Sequence, residues 1–219
     1  MNKPPLSVVV GLGLALGGPT LLAVASDRII PGANGVARSL IAQLVMWALL
    51  VAIVVITLKC ERQPLSSLGV RTPAGSSLFW GLIAAAALIY GVVPLATALV
   101  AVSDLPGFEQ GLSEVLALPL WLRVVAVATG GVVEEVLFRG YAITRLEAVT
   151  GSQIFAAAFS VLVFALAHWP LWGPGPVLTF VLSGGFLAAW FLWRRDLVAN
   201  IVAHAVVDSI GLVFVPVSA

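Results

Sequence analysis

Residues 39–58 read SLIAQLVMWALLVAIVVITL, a run of 20 positions without a charged side chain. An α-helix needs about 20 apolar residues to cross the hydrocarbon core of a bilayer. Further stretches of the same kind lie at about 6–25, 76–101, 120–138, 151–168, 175–193 and 197–217. The fourth of these can continue as helix past Arg139 through Leu146, because Tyr141, Ile143 and Leu146 alternate with Arg145 and Glu147. The runs are too long and too uniformly apolar for strands of a β-barrel. They predict an all-α fold, a polytopic transmembrane helical bundle of about seven spans and eight at most. The whole chain, residues 1–219, reads as a single integral membrane domain, with no internal repeat and no linker.

Composition agrees. Of the 219 residues, 61% are hydrophobic and 10% are charged, and the mean hydropathy is +1.11. An average soluble domain is about 25% charged. The 11 Lys and Arg nearly cancel the 10 Asp and Glu, so no basic surface awaits a nucleic acid. The one cysteine, Cys60, excludes a disulfide framework and a cysteine-based metal site, and reads as inert. The first run reads as a retained helix. Its alternative is a signal peptide, with Lys3 ahead of the apolar stretch and Ala23-Val24-Ala25 as a small-residue cleavage site.

Basic residues favour the cytoplasmic loops of membrane proteins. With the N-terminus inside, one set of loops carries Lys3, then Lys59, Arg62 and Arg71, then Arg145, then Arg194 and Arg195. The opposite set carries Arg28 and Arg38 and otherwise none. Trp169, Trp172 and Trp193 fall at span ends, where an interfacial aromatic belt lies. The segment 102–119, with Asp104, Glu109 and Glu114, reads as an amphipathic external loop.

Ionisable groups inside spans are costly and mark functional interiors. Here Glu134, Glu135 and Arg139 lie in the fourth span or its extension, His168 ends the fifth, and His204 and Asp208 lie in the seventh. His168 and His204 are the 2 histidines of the chain. Glu135 and Arg139 are one helical turn apart and can pair, while Glu134 points elsewhere. That pair reads as structural and leaves one carboxylate free for chemistry. His204 and Asp208 share a face, which Asn200 extends; Phe164 lies one turn from His168 as packing beneath it. Gly130-Gly131 and Gly184-Gly185 read as close helix contacts. Glu134 and His168 each lie 17 residues from Gly151. An antiparallel hairpin turning there would put both about 25 Å along their helices, level with each other and away from the basic loops.

These residues resemble a known family. Glu134-Glu135-Val-Leu-Phe-Arg139 is similar to the EExxxR motif of the CPBP family, the CAAX-protease and bacteriocin-processing intramembrane proteases. Phe164-Ala-Leu-Ala-His168 resembles its FxxxH motif, and His204-Ala-Val-Val-Asp208 its third motif, a histidine followed four residues later by Asn or Asp. The motif-bearing catalytic core is about 120–217.

The resemblance implies an intramembrane endopeptidase like the type II CAAX prenyl endopeptidases, in which a glutamate and a histidine activate water. Carried over by motif, the catalytic residues are Glu134, His168, His204 and Asp208, with Glu135, Arg139 and Phe164 in support. His204 and Asp208 would stabilise the oxyanion or orient the site. Asp208 departs from the asparagine of the prenyl endopeptidases, and an ionised Asp cannot donate a hydrogen bond to an oxyanion. Glu134, His168 and His204 could alternatively hold a divalent metal such as zinc, since two histidines and a glutamate form a known catalytic set.

The expected partners are the lipid bilayer and a membrane-embedded or lipid-anchored peptide or protein; no nucleic acid is expected. CAAX substrates are cytosolic, and signal or bacteriocin-like peptides are the other option. Arginine far in excess of lysine and abundant alanine point to a GC-rich bacterium, and so to its inner membrane. Competing readings are a proton-coupled transporter, since chains of Glu and His also relay protons, and a non-catalytic membrane scaffold or immunity protein.

Overall fold

A computed structural model describes residues 3–29, 32, 35–71 and 75–214. Among them there are eight helices and no strand. The helices are α1 (Leu6–Ala25), α2 (Gly35–Cys60), α3 (Gly75–Val102), α4 (Glu109–Leu116), α5 (Leu120–Thr150), α6 (Gln153–Trp172), α7 (Pro174–Arg194) and α8 (Leu197–Leu212). The protein is an all-α polytopic membrane bundle.

The seven apolar stretches fall on helices of unequal length and polarity. Five helices (α1, α2, α3, α6 and α7) are long and apolar enough to cross a membrane, and α4 with α5 makes a sixth if that pair is one span bent by 118°. The physical reasons are local. α5 is long but carries Arg123, Glu134, Glu135, Arg139 and Arg145. α8 has only 16 residues, too few for a full crossing. The last residues of the seventh apolar stretch, 215–217, lie outside the described residues.

α5 is the axis of the bundle and touches α1, α2, α6 and α8. Its Leu137, Phe138, Tyr141 and Ile143 are fully buried, and with Val133 and Val136 they anchor the main apolar core. A smaller core joins Ala84, Ala85 and Leu88 of α3 to Leu187 of α7 and Ala203 of α8. Outside, Leu44, Val51, Leu82 and Leu162 are exposed around the perimeter. This arrangement suits lipid as the surrounding solvent.

Four stretches are wound more widely than an α-helix, with i→i+5 hydrogen bonding: Gly13–Gly17, Ile56–Cys60, Leu88–Val92 and, longest, Thr129–Ile143. Such turns are rare and cluster at functional sites. The first lies just ahead of Pro19, which has no N–H to give to a regular ladder. The last holds the whole Glu134–Arg139 segment.

The segment 102–119 is not simply a loop. It contains α4, seated on the far ends of α6 and α7. A Cβ on Gly111 would lie 2.5 Å from the Trp172 ring, and one on Gly175 would meet the Pro106 carbonyl. Trp172 is packed there against Phe108 and Phe180, whereas Trp169 and Trp193 are exposed, as an interfacial belt requires.

The opposite end, where α5 turns into α6 at Gly151, is stitched by polar contacts. Arg145 Nε lies 2.8 Å from Glu61 Oε2, and Tyr141 donates to Glu61 Oε1. Arg195 pairs with Glu147 at 2.8 Å. Gly69, left-handed at φ 81°, accepts the Leu197 N–H, and Ser77 donates to Asp196, which caps α8 through the Ala199 N–H. These bonds hold the segment between α2 and α3 against α5 and the start of α8, and tie α3 to the start of α8. Removing one partner of a buried ion pair strands the other. Glu61→Ala is therefore expected to destabilise the protein by about 3 kcal/mol, measured by unfolding in detergent micelles, whereas Glu109→Ala on exposed α4 is expected to leave the unfolding curve in place.

Candidate active site

The three motif segments meet where α5, α6 and α8 converge. His168 Nε2 lies 3.9 Å from Glu134 Oε2. His204 Nδ1 lies 2.8 Å from Glu135 Oε1, and His204 Nε2 lies 3.5 Å from Asp208 Oδ2. The ring centroids of Phe164 and His204 are 6.5 Å apart. Every residue picked out from the motifs therefore belongs to one cluster.

Glu135 is the hub of that cluster and is fully buried. A carboxylate in an apolar interior is stable only when surrounded by donors. Arg139 Nη1 sits 2.9 Å from Oε1, off the line of its N–H, so this contact is a charge pair rather than an aligned hydrogen bond. Asn200 Nδ2 donates to Oε2 at 3.1 Å and also to the Leu187 carbonyl at 2.9 Å. Both partners of that amide are acceptors, which fixes its orientation. Arg139 Nη2 reaches the Gly184 carbonyl at 3.4 Å, and its guanidinium lies 4.3 Å over the Phe164 ring.

The histidine tautomers follow from the same logic. The Phe164 carbonyl can only accept, so His168 Nδ1, at 2.8 Å from it, carries the proton. The Nε2 lone pair is then turned toward the Glu134 carboxylate. In the same way Glu135 holds the Nδ1 proton of His204. Phe164 and Phe180 pack on the faces of His168, with centroids at 4.5 and 4.2 Å.

Glycines make room for this arrangement. A Cβ on Gly130 would lie 2.8 Å from Asp208 Oδ2 and 3.6 Å from His204 Nε2. One on Gly131 would press on Ala205, and one on Gly184 on Arg139 and Phe164. Gly185 is different and meets nothing; it lines an open apolar groove between α6 and α7.

The metal reading fares less well. Among the described residues no group of three or more His, Cys, Asp or Glu is arranged to hold a metal ion. In the set Glu134, His168 and His204, one nitrogen of His204 is committed to Glu135 and the other faces Asp208, while Glu134 faces His168. As placed, Glu134, His168 and His204 do not form such a group.

Two groups of residues were not singled out by the motifs. Asn200 was visible only as a continuation of the His204–Asp208 stripe, and nothing in the sequence tied it to Glu135. Phe180 stands outside any charged pattern, and an aromatic in an apolar helix gives no signal of its own.

Residues 116–210 match the model of a family described as type II CAAX prenyl endopeptidase Rce1-like. The matched segment is similar to that family. The Rce1-like segment contains all three motifs and the hub at Glu135. The family is one of proteases, which supports a peptidase, and the long apolar helices are those of an integral membrane protein. No curated protein and no solved structure matches the chain.

The hub can be tested by unfolding. Asn200→Ala loses a donor to a buried carboxylate and is expected to cost about 1–3 kcal/mol. Asn200→Asp sets a second carboxylate against Glu135 Oε2 and the Leu187 carbonyl, and is expected to cost more, about 3–5 kcal/mol. Equal costs for the two, measured by denaturation in micelles, would contradict the hydrogen-bond assignment.

Proposed function

We propose that the protein is an intramembrane endopeptidase that hydrolyses a peptide bond, in or next to the membrane, with water activated by Glu134 and His168. The observation that carries this reading is the facing of these two groups. Nε2 of His168 and the Glu134 carboxylate are both acceptors, and 3.9 Å is too long for a direct hydrogen bond. Two acceptors so placed are bridged naturally by one molecule with two protons to give. A water held there would donate to both, with its oxygen free to attack a carbonyl.

The steps follow from what each group can accept or donate. Glu134 takes the proton as the water oxygen bonds to the scissile carbonyl carbon. His168, with Nδ1–H tied to Phe164, is held so that only Nε2 meets the reactants. The proton then passes to the leaving amine as the C–N bond breaks. The developing oxyanion needs a donor. His204 can supply one from Nε2 as an imidazolium, since its Nδ1–H is committed to Glu135; Asp208 then acts as its counter-charge and orients it. This gives Asp208 a role that an asparagine would fill differently. Glu135, Arg139 and Asn200 hold His204 and never touch the reactants.

The substrate class is a membrane-embedded or lipid-anchored peptide. Two probes separate the options: a farnesylated peptide ending in a CAAX sequence, and a transmembrane signal-type peptide. Glu134→Gln and His168→Ala are expected to lower kcat about 10²–10⁴-fold on whichever probe is cut, with unchanged unfolding curves. Full cleavage by either folded variant would overturn the assignment. Gly130→Ala is expected to lower kcat as well, since the added methyl must displace Asp208.

A further inference from the structure

The bundle has two chemically distinct ends, and the site lies nearer one of them. Where α5 turns into α6 lie Lys59, Arg62, Arg71, Arg145, Arg194 and Arg195, with Lys3 at the start of α1. The other end holds α4 and residues 103–119, with Asp104, Glu109 and Glu114 and no lysine or arginine. Arg28 follows α1 and Arg38 lies in the first turn of α2 on that side. Arg123 is there too, but it is buried and donates to the Leu212 carbonyl at the end of α8. By the bias of basic residues, the Gly151 end is cytoplasmic and the α4 end is not.

The depth and accessibility of the cluster point the same way. His168 lies four residues before Trp172, the α4-side end of α6, a rise of about 6 Å. Side-chain exposure grades along the helices: Asp208 28%, His168 19%, Glu134 18% and His204 12%. Glu135 at 0% and Arg139 at 1% follow Glu134 toward the basic end. Asn200 at 0% precedes His204 on the same side. The fully buried members of the cluster, Glu135, Arg139 and Asn200, thus lie on its basic side, and the partly exposed Glu134, His168 and Asp208 lie nearer the α4 end.

We infer that the site takes its substrate from the extracytoplasmic side, so that the substrate is a membrane-anchored peptide already carried across the bilayer. The inference rests on the peptidase reading for the word substrate, but not for the side. A peptide presented only in the cytosol would meet the buried side of the cluster, Glu135, Arg139 and Asn200. One anchored in the outer half of the bilayer meets Asp208, His168 and Glu134 directly.

Cys60 supplies a native reporter, since it is exposed at the basic end of α2. In spheroplasts of expressing bacterial cells, a membrane-impermeant maleimide is expected to leave Cys60 unlabelled until the cells are permeabilised, when labelling rises at least tenfold. Gln110→Cys on α4, in a Cys60→Ser background, is expected to label equally before and after. The reverse pattern would overturn the proposal. The same cells then receive one reporter peptide anchored with its cleavable segment outside, or inside. Cleavage is expected only outside, and lost in Glu134→Gln; cleavage only inside would also overturn it. The labelling decides the side without any activity, so a reporter left uncut on both faces would count against the peptidase reading alone.

Discussion

The buried carboxylate of Glu135 is the constraint around which the rest of the core is arranged. An ion cannot remain in an apolar bundle without partners, and each of its partners comes with a structural commitment. Arg139 ties it to its own helix and, through the Gly184 carbonyl and the Phe164 ring, to α7 and α6. Asn200 and His204 tie it to α8. One charge therefore fixes how four helices approach. Satisfying it also leaves His204 in a single tautomer, with the other nitrogen directed at Asp208.

The wide-turn stretch Thr129–Ile143 is the backbone counterpart of this constraint. It carries Gly130 and Gly131 against α8, Glu134 toward α6 and Glu135 toward the hub. Removing the side chain at Gly130 is what lets Asp208 come close. Stability and chemistry are divided between neighbours in sequence: Glu135 is enclosed and paired, while Glu134, one residue earlier, is partly open and faces His168. Such a division lets one helix both anchor the bundle and present a base.

Much of this was legible in the sequence, for identifiable reasons. Apolar runs reveal membrane helices because lipid tolerates little else, and the continuation of α5 through Leu146 followed from its apolar periodicity. The equal spacing of Glu134 and His168 from Gly151 put them level, because a short turn leaves two helices little freedom of register. The pairing of Glu135 with Arg139 followed from their separation by one turn. What was hidden depends on partners distant in the chain. Glu61 lies outside every motif, yet it binds Arg145 and Tyr141 far along the chain. Asn200 lay on a visible stripe without a visible partner. α4 was concealed in a polar stretch between helices, and Trp172 was assigned to the interface when it supports α4. The shortness of α8 and the wide turns of α5 come from packing, which periodicity does not report.

The central claim is that Glu134 and His168 act as one unit on a single water. A double-mutant cycle on kcat/KM, comparing Glu134→Gln, His168→Gln and the double variant on the same anchored peptide, tests this most directly. The account predicts that the double variant loses no more than the worse single variant, because either change already disables the unit. Losses that multiply, with each residue contributing independently, would contradict it.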